Sequence, residues 1–195
     1  PVNRSTPPVA SSVTPSRLST KVSASAGRGR ASARSSTARA AALTGKLAGD
    51  DFAYLHTEVP DMPGSIWKRH ILALKGEGAI VVDRLIPLET GRFDVVSSWQ
   101  MGGRMKNPGA PSRRVLSANG AGFCSADIAY SRENDTTARA QLSRELDASH
   151  PLSLATVFFR ERNPLTISRL RTGGYLVNGA HAAFVGAGHR ADPSL

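Results

Sequence analysis

The chain has 195 residues, of which 18 are glycine, 12 are proline and 6% are aromatic, a balance that argues against a helical bundle and for strands joined by turns. Its net charge of +10 is unevenly placed: residues 1–48 hold eight basic side chains and no acidic one, so the other 17 basic and 15 acidic residues leave only +2 for the rest. One cysteine, Cys124, excludes an intrachain disulfide and a four-cysteine metal cage, and no apolar run reaches the ~18 residues of a membrane-spanning helix.

From Pro1 to about Lys46 the text is Ser, Thr, Ala, Arg and Pro, with almost no large apolar residue. Such a segment buries too little surface to offset its ordering entropy, so residues 1–48 are expected to be a disordered basic tail or linker. Its charge suits a polyanion, but no aromatic residue stands among the basic ones to stack on bases. The chain opens on Pro1 with no apolar leader, and is expected to be either a processed product or a fragment of a longer protein.

Residues 49–195 are expected to form one domain. "DFAYLHTEV" alternates, "PDMPG" is turn chemistry, and "SIWKRHILALK" and "GAIVVDRLIPL" are two strands joined through Gly76 and Gly78. In that hairpin Ile71–Leu74 is expected to lie antiparallel to Ile80–Val82, with a bulge before Leu85 or a strand buried on both faces. "GRFDVVSSWQM" sets Phe93, Val95, Ser97 and Trp99 on one side, and Asn119-Gly120 marks a tight hairpin between "RRVLSAN" and "GFCSADIAYS". In "DTTARAQLSRELDASH", Ala138, Leu142 and Leu146 recur every four residues, which predicts a short helix or helical loop. "LSLATVFFR", "LTISRLR", "GYLVNG" and "HAAFVGAG" resume the strand pattern. About ten short strands with Gly, Pro and Asn turns predict an all-β antiparallel sandwich.

Candidate chemistry is sparse. Arg69 and His70 are sequence neighbours, so on a strand they point to opposite faces. His56, His70 and Asp83 form a possible metal set without any short fixed spacing, and three ordinary sheet residues are the competing reading. Asp83-Arg84 reads as an ion pair or turn-capping pair. Cys124 reads as a small core residue. Trp67 and Trp99 either stack on a sugar ring from an exposed face or pack in the core. There is no Gly-x-Ser-x-Gly elbow and no phosphate loop, so no catalytic residue is assigned.

The stretch "WKRHILALKGEGAIVVDRL", followed by "ETGRFDVVSSW", "LSLATVFF" and "GGYLVNGAHAAFVGAG", resembles the C-terminal β-sandwich region of heparinase II/III-like polysaccharide lyases over about Asp51–Gly188. The resemblance implies an N-terminal helical toroid as partner, with a catalytic Tyr and Asn facing a cleft. It further implies an acidic polysaccharide such as a glycosaminoglycan or alginate as substrate, a secreted or periplasmic location, and a zinc site opening on His-x-His. This sequence contains no His-x-His and no toroid, so no cofactor is assigned to the chain itself. The expected function is that of a sandwich module that supports the catalytic domain or contacts glycan, with Trp67, Arg69, His70 and Trp99 as contact candidates. The chain alone is expected not to perform β-elimination unless His56, His70 and a tyrosine converge on one face. The alternative is a non-enzymatic binding protein whose basic arm grips a polyanion; nucleic acid is not the expected partner.

Overall fold

The computed structural model describes residues 22–25, 42–62, 64–106, 116–171, 174–178 and 183–185. Among them there is no helix, and none that is long and apolar enough to cross a membrane. Fourteen strands follow one another: β1 Val22–Ser25, β2 Ala42–Ala48, β3 Phe52–Met62, β4 Ser65–Leu74, β5 Gly78–Pro87, β6 Gly91–Gln100, β7 Leu116–Ala118, β8 Ala121–Ser125, β9 Ser131–Arg132, β10 Thr137–Leu146, β11 Leu152–Arg160, β12 Thr166–Arg169, β13 Tyr175–Asn178 and β14 Ala183–Val185. They form a seven-stranded sheet ordered β2-β3-β4-β5-β11-β8-β7, a four-stranded sheet ordered β1-β6-β10-β9, and a three-stranded sheet β12-β13-β14.

The β4–β5 hairpin has the expected register. Ile71 faces Val81, Leu72 faces Ile80 and Leu74 faces Gly78, across a turn at Lys75–Glu77 whose Gly76 has φ +80°. Asn119 at φ 51° and Gly120 at φ 76° make the tight connection between β7 and β8, a conformation these two residue types tolerate best. No bulge is needed before Leu85, because β5 is buried on both faces. Val81 and Leu85 pack between the two large sheets, whereas Ile80 and Val82 pack with Tyr175, Val177 and Leu165 on the other side. Phe93, Val95, Ser97 and Trp99 of β6 are all buried, on the side read from their alternation.

Two expectations need correction. The segment predicted to be helical is β10, paired with β6 along its whole length from Thr137–Gln100 to Leu146–Gly91. A spacing of four residues is also two strand periods, and buried Ala140, two residues after buried Ala138, fits only the strand. The ordered sheet also begins earlier than composition suggested: Ala42–Ala48 lies against β3, and Val22–Ser25 pairs with β6. The rest of the basic tail, residues 1–21 and 26–41, lies outside the described residues.

Candidate functional site

Alternation on β4 and β5 sorts the polar side chains into two groups on opposite faces of the large sheet. On the inner face, Asp83 is 4% exposed and takes a two-pronged ion pair from Arg69, Nε to Oδ1 at 2.6 Å and Nη2 to Oδ2 at 2.7 Å. Trp67 Nε1 donates to the same carboxylate at 3.0 Å. The Arg69 guanidinium also covers the Trp99 ring, 4.9 Å from its centroid. Beside it, the Tyr130 hydroxyl accepts from Trp99 Nε1 at 2.8 Å and bonds Ser97 Oγ at 2.7 Å. Burial pushes the Tyr130 phenol up.

Trp67, Arg69 and Trp99 are therefore held inside the sandwich. The rings of Trp67 and Trp99 are 4% and 9% exposed, so neither offers a face to a sugar, and as glycan contacts they are corrected to core residues. Asp83 pairs with Arg69 across the sheet rather than with its sequence neighbour Arg84.

The outer face carries the other group. His56 on β3 lies directly opposite His70 on β4, their rings stacked at 4.3 Å and 10°. Tyr54 Oη and His70 Nδ1 share a 2.7 Å hydrogen bond, and Thr44 Oγ1 from β2 meets His56 Nδ1 at 2.9 Å. Burial lowers the His70 pKa from 6.5, helped by His56, Arg84 and Lys68 and opposed by Asp83, which keeps its ring neutral at pH 7. Burial raises the Tyr54 phenol, so it stays protonated. Lys68 is tied to Glu58 at 3.0 Å, next to the histidines on the same face.

This arrangement splits the proposed metal set. His56 and His70 stand on the outer face while Asp83 points inward, and no group of three His, Cys, Asp or Glu side chains suited to a metal occurs among the described residues. The zinc that the resemblance implied does not fit these residues. The stacked pair of His56 and His70 has no third ligand beside it among the described residues, short of the four a zinc site takes. The arrangement does suit proton relay between a phenol and a neutral imidazole, and hydrogen bonding to hydroxyl groups. Tyr54 and His56 share a face by alternation within β3, but their meeting with His70 comes through cross-strand register, which the spacing within one strand does not reveal. His150, outside this face, is an exposed partner of Asp147.

Cys124 packs as expected in the third apolar cluster, with Sγ 3.7 Å from the Leu165 carbonyl oxygen. Tyr175 and Arg169 of the small sheet close on Asp127, with Arg169 Nε at 2.6 Å and Tyr175 Oη at 3.0 Å from its carboxylate. These contacts staple that sheet to the large one.

Solved structures share this architecture. Heparan sulfate lyase HepC from Pedobacter heparinus superposes with a TM-score of 0.51 at 10% identity, over 74% of this chain and 28% of that one. The heparinase III BT4657 gene product gives 0.56 at 9% identity, over 74% and 27%. A further heparinase III gives 0.52 at 9% identity, over 85% and 29%. The fold is shared with heparinase III. The chain spans somewhat more than a quarter of the length of these enzymes. No protein-family model matches the sequence, and no curated protein is similar to it.

Proposed function

We propose that this chain is a β-sandwich module of a heparinase-like polysaccharide lyase, and that its outer β3–β4 face contacts the acidic glycan. The observation that carries this reading is the convergence of Tyr54, His56 and His70 on one half-exposed face. Aromatic rings and imidazoles suit sugar rings and hydroxyls, and the neighbouring Lys68 and Arg84 suit uronate or sulfate groups. The likeness to heparinase III supports the class of ligand, and a location outside the cytoplasm, secreted or periplasmic, belongs to the same reading. A helical toroid in the parent protein would supply the opposite wall of a cleft.

β-Elimination requires a base to take the C5 proton of a uronate while the C4–oxygen bond breaks, a C4–C5 double bond forms and the leaving oxygen gains a proton. The uronate carboxylate must be neutralised as well. Tyr54 and His70 are a proton-transfer pair that could enter such a reaction once a facing wall fixes the sugar. On this reading the chain alone binds and does not turn over.

Titration calorimetry with heparan sulfate oligosaccharides tests the proposal. Binding is expected to weaken at least tenfold in Tyr54→Ala and His70→Ala. It should persist when Arg28, Arg30, Arg34 and Arg39 are all changed to Gln. Loss in the tail variant alone would instead favour a polyanion-gripping arm. Incubation with heparan sulfate is expected to give no ultraviolet absorbance from an unsaturated uronate. A rise abolished by His70→Ala would make Tyr54–His70 the catalytic pair of this chain.

A further inference from the structure

Among the described residues Arg84 has no counter-ion, where an arginine at the centre of a sheet would ordinarily have one. It sits on β5 between two strands, opposite Lys68 of β4 and Ser153 of β11. Its side chain is half-buried, and its Nε is shielded from solvent with no hydrogen-bond partner among the described residues. Asp83, the adjacent carboxylate, faces the other side and is taken by Arg69. Glu58 is taken by Lys68, and Asp127 by Arg169, which also reaches the Ser153 carbonyl oxygen from β12.

A guanidinium withdrawn from water gains most from an anion that accepts several of its N–H groups in one plane, and sulfate and carboxylate both do so. The surrounding groups favour the same ligand. His70 lies one strand position along from Lys68 on the same face, and its ring is close enough to Arg84 and Lys68 for their charges to disfavour its protonation. His56 Nε2, stacked above it, is likewise shielded and without a partner among the described residues. Among the described residues, the outer face thus holds two unsatisfied donor or acceptor atoms and one uncompensated positive charge.

We infer that Arg84, flanked by Lys68 and His70, is an anion subsite that takes one sulfate or carboxylate group. This rests on the reading of the outer face as a glycan contact, and it identifies the element of the glycan that the face recognises. An anion seated there offsets the repulsion by which Arg84 and Lys68 add to the effect of burial on His70, so ligand binding and His70 protonation reinforce each other. Glu58 opposes the anion from β3, Tyr54 is neutral, and Asp83 acts only from the far side of the sheet.

The probe is inorganic sulfate, titrated against chloride at matched ionic strength while the imidazole signals of His70 are followed by NMR. In the unaltered chain, sulfate is expected to bind saturably and to raise the His70 titration midpoint. Arg84→Gln is expected to weaken the response at least fivefold, Arg84→Lys to restore part of it, and Arg92→Gln on β6 to leave it unchanged. A sulfate response that survives Arg84→Gln, or no saturable response in the unaltered chain, overturns the subsite. In a second arm, Arg84→Gln should weaken heparan sulfate binding about tenfold and lower the slope of log affinity against log salt by about one. Heparan sulfate binding untouched by Arg84→Gln removes the subsite and leaves the glycan-binding reading intact. A sulfate response through Arg84 without heparan sulfate binding keeps the subsite and removes that reading.

Discussion

Asp83 shows how one carboxylate organises the interior. It accepts two bonds from Arg69 and one from Trp67 while nearly sealed from solvent. Removing one member of such a pair strands the other charge, so Asp83→Ala is expected to cost about 3–5 kcal/mol in chemical denaturation. The double replacement Arg69→Met with Asp83→Leu should cost less than that single change, because no charge is left unpaired. His70 makes the opposite kind of statement. Its folded pKa lies below the 6.5 of the unfolded chain, so the unfolded state binds more protons as pH falls. Stability is therefore expected to be full above 6.5 and to decline as pH drops toward the lowered folded value. Thermal melts across that window should show a shallower decline in His70→Gln. At this scale the sequence exposed some relations and hid others. Parity alone places Arg69 and His70 on opposite faces, whereas the meeting of His56 with His70 needs the register of two strands. The burial of Trp67 and Trp99 needs the second sheet, which local text does not contain.

Among the elements, the β4–β5 hairpin was readable because Gly76 and Gly78 bracket a turn between β-branched runs. β2 was not, since "ALTGKLA" has a single β-branched residue and owes its place to pairing with β3. β10 was misread because its strongest apolar spacing satisfies two periodicities at once. The close packing of β5 on β11 gives a direct check of the register. A Cβ at Gly78 would stand 2.0 Å from the Phe158 carbonyl oxygen, a backbone atom that cannot swing aside. Gly78→Ala is thus expected to destabilise by about 1–3 kcal/mol, while Gly91→Ala, with nothing near its added methyl, should change little. Val82→Asp would place a carboxylate among Ile80, Val157 and Tyr175. It is expected to cost on the order of 4 kcal/mol or more, seen as loss of the cooperative thermal transition.

For the whole molecule, the all-β class followed from turn density and alternation, but the order of strands did not. Nothing local announces that β5 lies beside β11, or that a third sheet covers the far side of both. Because β5 belongs to both cores, the cores should fail together. Tryptophan fluorescence, reporting the inter-sheet space, and far-UV circular dichroism, reporting all sheets, are expected to give coincident unfolding curves. Separate midpoints would mean that the small sheet detaches first.

The seam between β5 and β11 also sets a schedule for the chain as it leaves the ribosome. Leu85 meets Trp67 of β4 almost at once, but its other neighbour, Leu152, emerges only after β6 to β10 have been synthesised. Until then the middle of the future sheet has a bare edge of β-branched residues, the kind of surface that recruits strands from other molecules. Assembly of this protein is therefore a race between completing one distant pairing and sticking to a stranger. Slow translation through the segment between these strands would lengthen that exposure.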